Sequence, residues 1–430
     1  MHDVLDDRDL IPDEAEQLLH SGYPVERELV EARAAAAASD LPRLRQIGNV
    51  LRAAVRGPWP YDEPDDEELL VEVATRGRRL PVVEASLHSQ IHGAWLGRCV
   101  ANTMGKPVEG LRRDEVGLYL TAAGQSPQTG YLPLIEPLPD GVSHLHESAP
   151  FATAGRFVDV PRDDDLDWTI LGLAMLEEHG PDLTTEDIAR TWLDRLPFTQ
   201  TFTAERIAYR NLIRGASVSQ AARLDNPYRE WIGALIRADI FGYVHPGDPA
   251  AAACASLVDA RLSHVGNGIY GEMWAAALVA SALASDSPEA ALRSALPVVP
   301  DKSRLAEALR SILQLRADGV GPQQAIAWVD EHLGHYNWVH TINNAALISI
   351  GLLWGTDFTS AVALTISGGR DTDSSAATVG SVFGAIYGAD AIPSSLVGTT
   401  HVRVRSAVKD FDRIEIAELA RRTFSLIGGS

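Results

Sequence analysis

A chain of 430 residues, 46% hydrophobic and carrying a formal charge of −21, has the material for a large buried core under an acidic surface. That charge excludes a surface made to wrap a nucleic-acid backbone, which needs clustered Lys and Arg, and the two cysteines, Cys99 and Cys254, are too few for a disulfide framework or a thiolate metal site. No apolar run reaches the roughly 18 residues of a membrane span, and Met1-His2-Asp3-Val4-Leu5-Asp6-Asp7 is acidic where a secretory leader is basic, so a cytoplasmic protein without membrane or nucleic-acid partners is expected.

Residues 12–56 read as helices separated at Pro24, with the alanines at 34–38 favouring helix by propensity alone. The prolines and acids of 57–68 resist a packed helix and read as a connector. Residues 1–82 are thus expected to form a helical extension packed on the main domain of residues 83–430. From Val83, the residues Leu87, Ile91, Ala94, Trp95 and Arg98 trace one helical face that ends at Gly105-Lys106-Pro107, with Glu109 in the following loop. Gly105-Lys106 is not a phosphate loop, because Pro107 replaces the hydroxyl residue and no glycine precedes at the required spacing. Residues 121–160, rich in Gly, Pro and Ser, read as a long surface excursion of the kind that borders a site.

Asp163, Asp164, Asp165 and Asp167 place four carboxylates within five residues, directly before an apolar helical run. Like charges roughly 4 Å apart repel by about 4 kcal/mol at an effective dielectric of 20, and divalent cations at a helix start relieve that repulsion. Thr184 opens a further helix with a capping box. Residues 204–216, 227–241, 249–262 and 273–284 read as helices, and period-2 apolar runs are few, so the fold is expected to be all-α. Gly266, Asn267, Gly268, Tyr270 and Gly271 satisfy GxGxxG, but the preceding residues read as helix rather than strand. A bare-backbone loop whose amides approach a phosphate is the more useful reading. His332, His335 and His340 lack the partner that would complete a zinc set, and neither a GxSxG elbow nor HExxH occurs.

The last motif is Ser367-Gly368-Gly369-Arg370-Asp371-Thr372-Asp373-Ser374. Asp371, Asp373 and Ser374 form an oxygen-donor claw for a hard cation, with helix N-capping as the plainer alternative for a single Asp. Gly380, Gly384 and Gly388 then recur on one helical face, which predicts close approach of another element.

Four segments in this order resemble the ADP-ribosylglycohydrolase family, which includes the dinitrogenase-reductase-activating glycohydrolases: residues 91–110, the Asp163-Asp164-Asp165 segment, Gly266-Asn267-Gly268, and residues 368–374. The resemblance implies a compact all-α domain holding two Mg2+ or Mn2+ ions in a binuclear centre. Asp163, Asp164, Asp165, Asp371, Asp373 and Ser374 would bind the metals, and Glu109, Asp164 and Asp373 would serve catalysis. Gly266, Asn267, Gly268 and Tyr270 would bind substrate along the diphosphate, and Arg370 would neutralise the claw or meet a phosphate. The implied reaction is hydrolysis at the anomeric carbon of an ADP-ribosylated protein or an ADP-ribose-like small molecule. Asp163 stands where the family has Thr, and Leu166 replaces a hydroxyl residue. A small N-riboside as substrate, or ADP-ribose binding without hydrolysis, are the alternatives. Asp163 to Asp167 also satisfies the DDxxD of class I terpene synthases, but Thr378 stands where their second motif needs an acid. A DxDx(T/V) phosphotransferase would need a buried strand before Asp371, which Ser367-Gly368-Gly369 does not provide.

Overall fold

Two helices of small residues, Glu84–Gly105 and Thr372–Tyr387, are buried along most of their lengths, and glycine decides how close they come. A Cβ at Gly97 would stand 2.2 Å from Gly380 O, one at Gly384 would stand 2.0 Å from Gly93 O, and one at Gly105 would stand 2.4 Å from Thr372 O. The helices are therefore antiparallel and in backbone contact, which is the close approach that the glycine face predicts. Gly388 differs from the others, because it ends the second helix at φ +78.

The structure, a computed structural model, describes residues 5–427, so the acidic start at residues 1–4 lies outside the described residues. Twenty-two α-helices and one pair of two-residue antiparallel strands, Arg403–Val404 and Ile414–Glu415, make up the regular structure among the described residues, and the fold is all-α. The helices Asp164–His179, Asn267–Ala282, Thr341–Trp354 and Ile416–Ile427 pack around the central pair. No helix among the described residues is long and apolar enough to cross a membrane.

The helices Asp7–His20, Glu26–Ala37 and Leu41–Arg52 share a small core of Leu18, Leu29, Leu44, Ile47 and Leu51. Polar contacts dock them on the main body: Tyr228 donates to Asp13 at 2.9 Å, Arg229 to Glu14 at 2.6 Å and Gln17 to Glu230 at 2.7 Å. The connector adds Glu63, held by the Arg304 guanidinium through two bonds of 2.8 and 3.0 Å and by the Arg304 amide at 3.0 Å.

One expected helix, over 227–241, does not form. Ile232 N donates to Val339 O and Thr341 N to Glu230 O, so residues 230–232 pair with residues 339–341 and interrupt the helical run. What remains is a 3-10 turn at Leu235–Arg237 and the short helix Asp239–Tyr243.

The glycine contact makes a measurable distinction. Gly380→Ala should cost about 1–3 kcal/mol as overpacking against a backbone carbonyl. Gly117→Ala, at an exposed helical position with nothing within 4 Å of the added Cβ, should gain up to about 1 kcal/mol. Denaturant unfolding of the two variants beside the wild type checks both signs.

Candidate metal centre

Because the central helices run antiparallel, the C-terminus of one meets the N-terminus of the other. Lys106 follows the first helix directly, and a 3-10 turn over Lys106–Val108 delivers Glu109. Across from them Asp371 occupies the N-cap position of Thr372–Tyr387, yet its side chain makes no capping bond, so the plain capping alternative does not account for it. Gly110 N donates to Arg370 O and Arg370 N to Leu111 O, both at 2.9 Å, which fixes the Glu109 loop beside the claw. Gly369 must be glycine there: its φ is +68, and a Cβ would stand 2.7 Å from Leu111 O.

The third segment is the start of Asp164–His179. Asp163 caps it, accepting from Asp165 N at 3.0 Å. Arg98, fully buried on the first central helix, donates to Asp165 O at 2.9 Å, Ile236 O at 2.6 Å and Asp239 Oδ2 at 2.9 Å, so one guanidinium ties three segments together. Asn102 and Ser374 both donate to Asp165 Oδ2, at 3.4 and 3.2 Å. Asp167 faces elsewhere, held by Arg162 at 2.7 Å, Ser406 at 2.7 Å and the amide of Ala407 at 3.0 Å. That arrangement removes the last acid of a DDxxD motif from the cluster.

Carboxylate oxygens of Glu109, Asp371 and Asp373 lie within 4.8 Å of one another, as do those of Asp163, Asp164 and Asp165. The buried Lys106 ammonium joins the two groups. It hydrogen-bonds Glu109 Oε2 at 2.6 Å and Asp373 Oδ2 at 2.7 Å and stands 2.6 Å from Asp163 Oδ2. Asp165 Oδ1 and Asp373 Oδ1 are buried without a hydrogen-bond partner. Unsatisfied buried carboxylate oxygens in an all-oxygen donor set fit a hard divalent cation such as Mg2+ or Mn2+.

Electrostatics express the same excess of negative charge. Burial and then Asp373 raise Glu109, Asp165 and Asp371 well above the usual carboxylate range. Burial and the neighbouring Asp163 push Asp164 up to about 7. Asp163 alone goes the other way: against its burial, Lys106 and the Asp165 amide hold it below its ordinary value.

Two groups of expected binding residues are engaged elsewhere. Arg370 turns from the claw to Asp330, at 2.7 Å, and to Gly368 O, at 3.1 Å. Gly266, Asn267 and Gly268 form the start of the helix Asn267–Ala282 rather than an open loop. Their amides donate to Asp65 Oδ1 at 2.7 Å, Glu230 Oε1 at 3.0 Å and Val265 O at 3.0 Å, and the Tyr270 hydroxyl donates to Pro64 O at 2.6 Å. The helix start does attract anions, but they are carboxylates of this chain. Gly268 is needed for packing, since a Cβ there would stand 2.5 Å from Arg229 O.

Sequence reasoning missed Lys106, Asn102 and His146 as parts of the centre. His146 Nε2 lies 3.4 Å from Glu109 Oε2, and it comes from the 121–160 excursion, which does border the site. A separate cavity of about 380 Å3, lined by Asp65, Arg223, Arg261 and His264 among others, lies away from the carboxylates. Its two arginines are paired with Asp65 and Glu67.

A family model described as ADP-ribosylglycohydrolase matches residues 83–429. Among solved structures, the chain is similar to one described as an "ADP-ribosylglycohydrolase-related protein complex", at 20% identity over 80% of this chain and 99% of that one, with a TM-score of 0.47. No curated protein matches the sequence.

The raised carboxyls predict a pH dependence in chelator. A carboxyl whose pKa is raised by folding adds stability that is complete below its unfolded value, about 4, and is lost as pH climbs through the folded value. Asp163, held low, opposes this only below its ordinary value of 3.8, and His146, lowered by burial and Lys106, opposes it only below 6.5. Between about pH 6.5 and 8.5 the melting temperature of the chelated protein should therefore fall, with Asp164 titrating inside that window. The fall should be shallower in Asp164→Asn and smaller with Mn2+ present; thermal scans across the window check both.

Proposed function

The chain belongs to the ADP-ribosylglycohydrolase family, and from that premise we propose that it is a metal-dependent hydrolase that cleaves the glycosidic bond of an ADP-ribosyl group. The observation that carries this reading is the convergence of Glu109, the Asp163–Asp165 acids and the Asp371–Asp373 acids on one buried cluster whose oxygens at Asp165 and Asp373 lack partners. Asp165, Asp371 and Asp373 would hold the cation, with Asp163, Asp164 and Ser374 beside them. When bound, such an ion polarises the ribosyl oxygens and lowers the pKa of a water.

The remaining work belongs to this chain's own side chains. Burial and Asp373 raise the Glu109 carboxyl well above the usual carboxylate range, in the direction a general acid needs to give a proton to the departing group and then recover one. His146 stands 3.4 Å from Glu109 Oε2, and burial and Lys106 lower its pKa, favouring the neutral imidazole. Arg98 and Asn102 keep Asp165 aimed into the cluster.

A small N-riboside is the second reading, and one observation favours it. The amides expected to hold a diphosphate at Gly266 to Gly268 are already bonded to Asp65, Glu230 and Val265.

Purified protein with Mg2+ or Mn2+ should release ADP-ribose from ADP-ribosyl-arginine or ADP-ribosyl-serine peptides; release of ribose from a simple N-riboside alone would select the second reading, and binding without any release would leave an ADP-ribose binder. Glu109→Gln should lower turnover by roughly two orders of magnitude, as expected for a lost acid-base group, with unchanged metal content by elemental analysis. Wild-type turnover in that variant would remove Glu109 from the chemistry.

A further inference from the structure

Lys106 stands on ground that a second cation needs. Its Nζ lies 2.6 Å from Glu109 Oε2, 2.6 Å from Asp163 Oδ2 and 2.7 Å from Asp373 Oδ2, so one ammonium touches a carboxylate from each of the three segments that build the cluster. Mg2+ holds carboxylate oxygens at about 2.0–2.1 Å. An ion bound to those same three oxygens would sit inside the hard radius of Nζ, and its charge would repel the ammonium at that range. The two cations exclude each other at this position.

The backbone that carries Lys106 has little freedom to withdraw it. Gly105, directly before it, has no space for even a Cβ against Thr372 O, and Thr372 Oγ1 donates to Gly105 O at 2.9 Å. Pro107 follows, with φ fixed by its ring. Only 7% of the residue is exposed. Two cluster oxygens have neither a hydrogen-bond partner nor a contact with Lys106: Asp165 Oδ1, 4.0 Å from the Arg98 guanidinium, and Asp373 Oδ1.

Resting on the metal-dependent reading above, we propose that Lys106 is the resident cation of one of two cation positions, so that the wild-type protein holds one divalent ion rather than the pair that the family resemblance implies. Lys106 bridges Glu109, Asp163 and Asp373 from inside, and the single ion binds on the Asp165 and Asp373 side. Among the six acids of the cluster, an ammonium and one divalent ion then offset three negative charges, and Glu109 is tethered to a side chain instead of a metal.

The test is a count of ions. The full-length protein is stripped with chelator, titrated with Mn2+ by calorimetry, and inspected by electron paramagnetic resonance. The wild type should take one Mn2+ per chain and give the six-line signal of an isolated ion. Lys106→Met should take two, with the broadened signal of a spin-coupled pair. Two ions in the wild type, or one in Lys106→Met, would overturn the proposal while leaving the metal centre standing. Failure of both proteins to bind Mn2+ would instead bring down the metal-dependent reading itself. If Lys106→Met does not fold in chelator, Lys106→Gln purified in Mn2+ and measured by elemental analysis gives the same count, with two ions supporting the proposal and one overturning it.

Discussion

The contact on which everything else depends is the meeting of two glycine-faced helices at backbone distance, Gly93 and Gly97 against Gly384 and Gly380. Because the helices are antiparallel, the electronegative end of one is brought beside the electropositive end of the other. The charged residues obey that polarity. Lys106 follows a helix C-terminus, whereas Asp371 and Asp373 stand at one helix N-terminus and Asp163, Asp164 and Asp165 at another. The centre is a junction of helix ends, and Lys106 and the two Asp clusters sit where the local backbone dipole favours their charge, whereas Glu109, after a helix C-terminus, does not.

That bias does not offset the whole cost of gathering so many acids out of water, and the surrounding structure supplies the rest. Arg98 satisfies three acceptors from a fully buried position, and its bond to Asp165 O fastens the start of the Asp164–His179 helix to the first central helix through a backbone carbonyl. Asp167 is neutralised separately by Arg162 and capped by Ser406. The run of four acids thus divides into three that face the centre and one, Asp167, that anchors the helix through Arg162, Ser406 and the Ala407 amide.

Much of this is legible in the sequence because it is local. The two acidic clusters, the glycine face, the loop position of Glu109 and the all-helical character are properties of short windows. What is not legible depends on partners far away in the chain. Lys106 reads locally only as a poor phosphate-loop lysine, since nothing near residue 106 announces Asp373. Arg370 sits beside the claw in sequence, but its guanidinium follows a left-handed backbone at φ +70 out to Asp330. Gly266 to Gly268 look bare because the acids that occupy their amides, Asp65 and Glu230, belong to the extension and to a segment that does not become helix. The amides there do meet anions, and those anions are supplied by the chain itself.

The bond from Lys106 to Asp373 spans 267 positions of chain. During synthesis the ammonium, Glu109 and the first acidic cluster are made long before the second, and the glycine face that presses them together emerges later still. A nascent or truncated chain ending before residue 371 therefore carries half a junction, with Lys106 able to meet Glu109 and Asp163 but lacking its third partner. Contacts of such long sequence separation form slowly because loop closure must precede them. The centre is consequently a late product of folding, and its assembly requires the chain through the Thr372–Tyr387 helix.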